Sequence, residues 1–183
     1  MSELFNEIDE DLRREQLKKI WDRYSVLIIA AAVLVIAAVG GWRGYQYLQA
    51  QKAAVAGSAF EAAANLADQN KSAEAEEAFT KLAATAPASY RSLSRLRAAA
   101  EAGKRDPKAA VKLYDEIAAD GTVGGKERAL ARVRAAGLLL DSETYNNMLQ
   151  RLEAETAPEA TFRHTARELL ALSAWRANDV TAA

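Results

Sequence analysis

FTKL at 79–82, YDEI at 114–117 and LQRL at 149–152 repeat one arrangement, two apolar residues three positions apart, at an interval of 35 residues. Residues i and i+3 share a helix face, so each quartet marks the buried side of a helix. A fixed interval makes the three helices equivalent parts of a recurring unit. Turn signals on either side divide the surrounding chain into short helices. One helix reaches Leu66 before the Asp68-Gln69-Asn70 cluster, and the next runs from Ser72 to Ala86, where Pro87 stops it. Ser89–Ala102 follows, with Gly103 expected as its C-terminal cap. Asp106-Pro107 reads as an N-cap followed by proline in the first helical position, opening a helix that ends at Asp120-Gly121. Lys126–Leu140 follows Gly124-Gly125, a helix capped by Ser142 ends before Pro158, and Ala160–Ala177 is the last. No segment alternates with period two, which predicts an all-α fold.

A helix pair of about 34 residues has the tetratricopeptide period. Tyr90-Arg91 and Phe162-Arg163 recur 72 residues apart, as do Asp106 and Asn178, a distance of two such units. Abundant alanine suits helices that must approach closely in a stacked solenoid. The tryptophan-glycine-tyrosine pattern of strong repeats is missing, so the repeats are degenerate. Ala183 comes just after an Asn178-Asp179 turn that should introduce another second helix. Solenoids cap their last apolar face, so a further C-terminal segment or a partner is expected over Leu169, Leu172 and Trp175.

Upstream of the repeats, YSVLIIAAAVLVIAAVGGW at 24–42 is uncharged and bracketed by Arg23 and Arg43. At ~1.5 Å per residue it reaches about 28 Å, close to the ~30 Å of a bilayer's hydrocarbon. It reads as one membrane-spanning helix, dividing the chain into a segment 1–23, a span 24–42 and a solenoid 43–183. Small residues at Ala37-Ala38-Val39-Gly40 would suit a signal peptidase, but the charged N-terminal region is long and the apolar run has the length of a span. Arg13, Arg14, Lys18, Lys19 and Arg23 precede the span, whereas Arg43 and Lys52 follow it. Lys and Arg resist translocation, so the N-terminus is expected in the cytoplasm and the repeats outside it. Leu4, Ile8 and Leu12, then Leu17, Ile20, Trp21 and Tyr24, fall at helical spacing with a slip near Glu15, as in an amphipathic helix on the inner leaflet or a docking peptide. Gly40-x-x-x-Gly44 with Ala37 forms a small-residue face through which another helix, or a second copy, could approach. No helix-breaking residue separates Trp42 from Leu66, so the span should run on into the first soluble helix.

Charge and composition narrow the function. Net charge is −1, and positions 43–183 carry 19 basic against 18 acidic residues, giving no basis for nucleic-acid binding. With no cysteine, thiolate metal sites and disulfides are excluded. His164 is the only histidine and lacks a second ligand nearby. Ser89, Ser92 and Ser94 have no base near them in sequence, and Gly121-Thr122-Val123-Gly124-Gly125 lacks the preceding strand of a phosphate loop. Neither an active site nor a cofactor is expected. One constellation remains: Arg91/Arg95, Arg128/Arg132 and Arg163/Arg167 stand at i, i+4 on successive first helices, 37 and 35 residues apart. If those helices line the concave face, stacking makes a basic ladder whose guanidinium forks would hold an acidic or C-terminal segment of another protein.

FNEIDEDLRREQLKKIWDRY at 5–24, the Gly41-Trp42-Arg43 closing the span, the glutamine-containing continuation and Tyr90-Arg91-Ser92-Leu93-Ser94-Arg95-Leu96 resemble the YfgM-type ancillary subunits of the bacterial Sec translocon, α-proteobacterial branch. The resemblance covers nearly the whole chain and implies a single-span inner-membrane protein with a periplasmic tetratricopeptide-like domain. It further implies a non-enzymatic role beside the Sec channel and an anchored periplasmic chaperone. The alternative is an accessory subunit of another inner-membrane complex, respiratory or photosynthetic, docked through Ala37, Gly40 and Gly44.

Overall fold

The computed structural model describes residues 2–177, with side chains from position 18 onward except Ile20. The amphipathic pattern of Leu4, Ile8, Leu12, Leu17 and Ile20 and the Asn178-Asp179 turn therefore lie outside what is described. The fold is all-α, and the chain divides into two units, Met1–Ala50 and Gln51–Ala183.

The first unit belongs to α1, which runs without interruption over Ser2–Asp68. Its Trp21–Asp68 portion contains a stretch long and apolar enough to cross a membrane, none of it buried within the protein. Valines, leucines and isoleucines between positions 26 and 39 are exposed all round the helix, so no protein face accounts for their apolarity. Trp42 and Tyr45 stand 6.3 Å apart at one end, and the Arg23 guanidinium lies 5.6 Å from the Tyr24 ring at the other. Aromatic residues flanking an apolar run are the pattern that interfaces select.

The second unit consists of hairpins. The end of α1 pairs with α2 (Ser72–Thr85), α3 (Ala88–Gly103) with α4 (Pro107–Ala119), and α5 (Gly125–Leu139) with α6 (Tyr145–Leu152); α7 (Arg163–Arg176) follows a 3-10 turn over Glu153–Thr156. Each boundary has a local cause. Asn70 adopts φ 60°, and the N–H groups of Asn70 and Lys71 donate to Ala67 and Leu66 carbonyls, which closes α1 in a Schellman turn. Ala86 is extended because it precedes Pro87. The Asp106 carboxylate accepts from Lys108 and Ala109 N–H at 3.0 and 3.2 Å, as the Asp-Pro pair predicts.

Two caps differ from expectation. No glycine has positive φ, so Gly103 is not a left-handed cap. Its missing side chain serves packing instead: a Cβ there would lie 3.2 Å from the Cβ of Ala110, where α3 and α4 cross. Ser142 does not cap α6 either; its hydroxyl donates back to the Leu139 carbonyl. Thr144, whose extended backbone aims its oxygen at the Asn147 N–H, is the cap.

Apolar second-helix residues meet alanines of the first helices. Phe79 and Leu82, then Tyr114 and Ile117, are buried at the 35-residue interval: Phe79 against Ala63 and Ala98, Leu82 beside Ala56 and Ala86, and Tyr114 and Ile117 with Ala99, Ala131 and Ala135. Fully burying such a side chain contributes about 1.5–3 kcal/mol. Phe60 packs edge-on to Phe79 and Tyr90, with centroids 5.1 and 6.0 Å away. Gly57 makes room for Tyr90, whose hydroxyl would sit 3.0 Å from an added Cβ. The third repeat slips. Leu149 is exposed, and Met148 takes the buried place beside Leu152. The cause is the brevity of α6, which passes into the 3-10 turn straight after Leu152 and buries an i, i+4 pair in place of i, i+3.

Candidate protein-interaction site

First helices α3, α5 and α7 border a cavity of about 450 Å³. Its walls are short: Ala99, Ala100 and Gly103 from α3, and Gly137 from α5, keep the side chains low. Val133, Leu138 and Leu169 add apolar surface. Lys104 and Arg134 supply charge. Tyr114 reaches the wall from α4, and burial pushes its phenol pKa up, so the ring stays neutral. Lys104 is partly engaged, with Nζ 2.8 Å from the carboxylate of Glu101, a buried side chain. Arg134 is exposed. An apolar trough with two cations at its side is suited to an extended peptide that carries apolar and acidic residues.

The six arginines singled out from sequence do not line this trough, and the structure disperses them. Arg95 meets Asp120 at 2.5 Å, and Arg132 pairs with Glu155. Arg91 donates to the Ala86 carbonyl at 3.4 Å and Arg167 to the Thr156 carbonyl at 2.8 Å. Arg163 donates to the Pro158 carbonyl and to His164 Nε2. Arg128 Nε is buried without a partner. The reason is rotational. Leu93 is exposed and the trough opens on that side of α3 and α5, so the arginines point elsewhere, Arg95 and Arg132 toward the ends of their own hairpins and Arg91, Arg163 and Arg167 toward the turns that precede their helices. The residues that do line it, Lys104, Arg134, Leu138 and Leu169, left one readable trace. Arg97 and Arg134 are 37 apart, as Arg95 and Arg132 are, but two positions further on and thus about 200° around the helix.

A second cavity of about 500 Å³ lies among α4, α5 and α6, and its charges are satisfied within the protein. Arg151 holds Asp115 with both terminal nitrogens, and Asn147 donates to Glu143 at 2.6 Å. Among the described residues no group of three His, Asp or Glu side chains could hold a metal ion. In the first unit, an added Cβ at Gly40 or Gly44 would meet nothing within 4 Å, and Ala37 is exposed beside them.

The family described as "Tetratricopeptide repeat-like domain" matches residues 18–170. No curated protein and no solved structure matches the chain.

Proposed function

The chain belongs to the tetratricopeptide repeat-like domain family, and on that premise we propose that it is a non-enzymatic scaffold, anchored by one span, that holds protein partners in the α3/α5/α7 trough. The family's repeats serve protein–protein interaction. The trough itself carries the more specific reading, because it combines an apolar floor with two cations, Lys104 at the end of α3 and Arg134 on α5. Segment 1–23 lies in the cytoplasm, 24–42 crosses the bacterial inner membrane, and 43–183 stands in the periplasm; the basic residues before the span support that direction. The partners are those of a Sec translocon and its anchored chaperone, a reading supported by the resemblance of the N-terminal segment and span.

The test is a photocrosslinking residue at Leu138 in the full chain, in native membranes. Adducts identified by mass spectrometry as Sec-channel subunits, periplasmic chaperones or exported chains are expected, and Lys104→Glu with Arg134→Glu should reduce them several-fold. Adducts confined to respiratory or photosynthetic subunits would sink the translocon reading. Adducts indifferent to both charge reversals would sink the trough.

A further inference from the structure

Segment 1–23 is polarised. Glu3, Glu7, Asp9, Glu10 and Asp11 come first, and Arg13, Arg14, Lys18, Lys19 and Arg23 follow, accompanied only by Glu15 and Asp22. Seven acids against five bases give the segment a formal charge of −2, so a bulk count predicts repulsion from an anionic surface. The geometry of α1 reverses that expectation. The helix is continuous over Ser2–Asp68, so each position has its own height above the apolar run, about 1.5 Å per residue. Lys19 stands about 6 Å farther out than Arg23, and Lys18 about 7.5 Å. A headgroup layer is about 5–7 Å deep, which puts these three cations at the level of lipid phosphates. The acids begin about 18 Å beyond Arg23, at Asp11, and extend to about 30 Å, past a Debye length of ~8–10 Å. The bilayer surface therefore meets the bases and is screened from the acids.

Within that layer the cations are not equivalent. Lys19 and Arg23 are four residues apart and share one face of the helix, a turn apart in height. Lys18 shares its face with Asp22. Glu15 follows the Lys19 face outward, about 12 Å beyond Arg23 and clear of the phosphate level. Lys18, Lys19, Asp22 and Arg23 are all exposed. The Arg23 guanidinium is held 5.6 Å from the Tyr24 ring. A ring occupies the face of a guanidinium and leaves the N–H groups at its edge to donate. At the other flank Arg43 has no second Lys or Arg until Lys52, nine positions on, so no such pair forms there.

We infer that Lys19 and Arg23 form a site for the phosphodiester of an anionic phospholipid, such as phosphatidylglycerol, in the leaflet at the N-terminal end of the span. The ammonium and the guanidinium donate to one phosphate from two heights. Trp21 and Tyr24, 54% and 43% exposed, set the helix at the depth where this is possible. A zwitterionic lipid brings its own ammonium, which competes with both cations, so the site selects by headgroup charge. The inference rests on 24–42 being a span and not on which side the N-terminus lies.

The test keeps Trp21 as the sole tryptophan, through Trp42→Phe and Trp175→Phe, in the full chain reconstituted into phosphatidylcholine vesicles with a minor fraction of phosphatidylglycerol. One lipid or the other carries bromine near the top of its acyl chains. Bromine quenches tryptophan on contact, so the quenching ratio reads the lipid composition around residue 21. Phosphatidylglycerol is expected there at no less than about three times its bulk fraction. Lys19→Gln with Arg23→Gln should return the ratio to bulk, and Lys19→Gln alone should cost more than Lys18→Gln, which removes the same charge. Unselective quenching in the parent chain overturns the inference, as does enrichment that survives the double variant. Equal losses in the two single variants overturn it as well, because the attraction is then diffuse. So does loss of enrichment to excess inorganic phosphate at matched ionic strength, because the site then takes free anions. Failure of either lipid to quench Trp21 overturns the span itself, a result distinct from unselective quenching.

Discussion

Hairpins α3–α4 and α5–α6 reach the same closure with different means. In the first, α4 has 13 residues, opens on an aspartate that satisfies two N–H groups, and buries Tyr114 and Ile117 on a full apolar stripe. Its arginine–carboxylate clasp is half-open, with the Arg95 and Asp120 side chains 27% and 28% exposed. In the second, α6 has only eight residues, opens on Thr144 with a single capping bond, and buries Met148 and Leu152. There the clasp has moved inward, with Glu155 buried against Arg132. A shortened second helix presents less apolar surface, and a desolvated ion pair stands where further apolar contact would have been. The two hairpins thus share an arginine–carboxylate closure, while the second sets a more buried ion pair beside a shorter apolar stripe.

The largest effect that can break this comparison is removal of equivalent core residues. Ile117→Ala and Leu152→Ala, 35 positions apart and both buried, should each cost about 2–5 kcal/mol in urea unfolding of the full chain in nanodiscs. Their reach should differ. Ile117 lies in a cluster shared by α3, α4 and α5, whereas Leu152 belongs to the cluster of α5, α6 and α7. Because stacked repeats transmit stability through neighbours, hydrogen exchange in Ile117→Ala should accelerate across the hairpins, and in Leu152→Ala only from α5 onward. Uniform acceleration in both variants would mean that the hairpins unfold as one and that the comparison has no energetic content.

The clasps come next. Glu155→Gln leaves Arg132 beside a buried neutral amide and should cost about 1–3 kcal/mol. Asp120→Asn should show itself mainly in acid. Hydrogen bonds from the Thr122 hydroxyl, then Arg95, then the Thr122 N–H hold the Asp120 carboxyl at about 2, against an ordinary 3.8. A carboxyl depressed in the folded state stabilises the fold above its ordinary pKa, and that contribution disappears as pH falls through the folded value. Unfolding midpoints measured from pH 5 to pH 2 should therefore fall less steeply in Asp120→Asn than in the parent chain. Parallel acid limbs would remove Asp120 from the account of this hairpin.

What could be read from the sequence follows the same division. Helix positions, the Asp106-Pro107 start, the stop before Pro87 and the burial of Phe79, Leu82, Tyr114 and Ile117 all rest on local chemistry and a repeated interval, and these the structure reproduces. The slip from Leu149 to Met148 was not readable, because it depends on where α6 gives way to a 3-10 turn. The arginines were misread for a related reason. A helical wheel shows that Arg91 and Arg95 share a face but not which neighbour that face meets, and Leu93, which looks like core, is exposed. Asp120 reads only as part of the Asp120-Gly121 stop and Glu155 carries no signal of its own, because each lies more than twenty residues from its arginine and only the folded hairpin brings the two together.

The smallest effect concerns two glycines on first helices whose substitution should have opposite signs. Gly137 sits within α5, where an added Cβ would meet nothing within 4 Å. Exchanging an interior helical glycine for alanine removes unfolded-state freedom at no steric cost, so Gly137→Ala should stabilise by up to about 1 kcal/mol. Gly103 closes α3, where the propensity gain is smaller, and its added Cβ would press on the Ala110 Cβ at 3.2 Å. Neither atom can rotate away, so α3 and α4 must separate, disturbing the seam above Tyr114; Gly103→Ala should be destabilising by about 1 kcal/mol or more. Both glycines also line the trough, so Gly137→Ala separates shape from stability: a tighter fold that captures less partner is expected. If both alanines stabilised equally, the α3–α4 crossing would be looser than its geometry indicates, and the tight first hairpin and the clasped second one would no longer differ in kind.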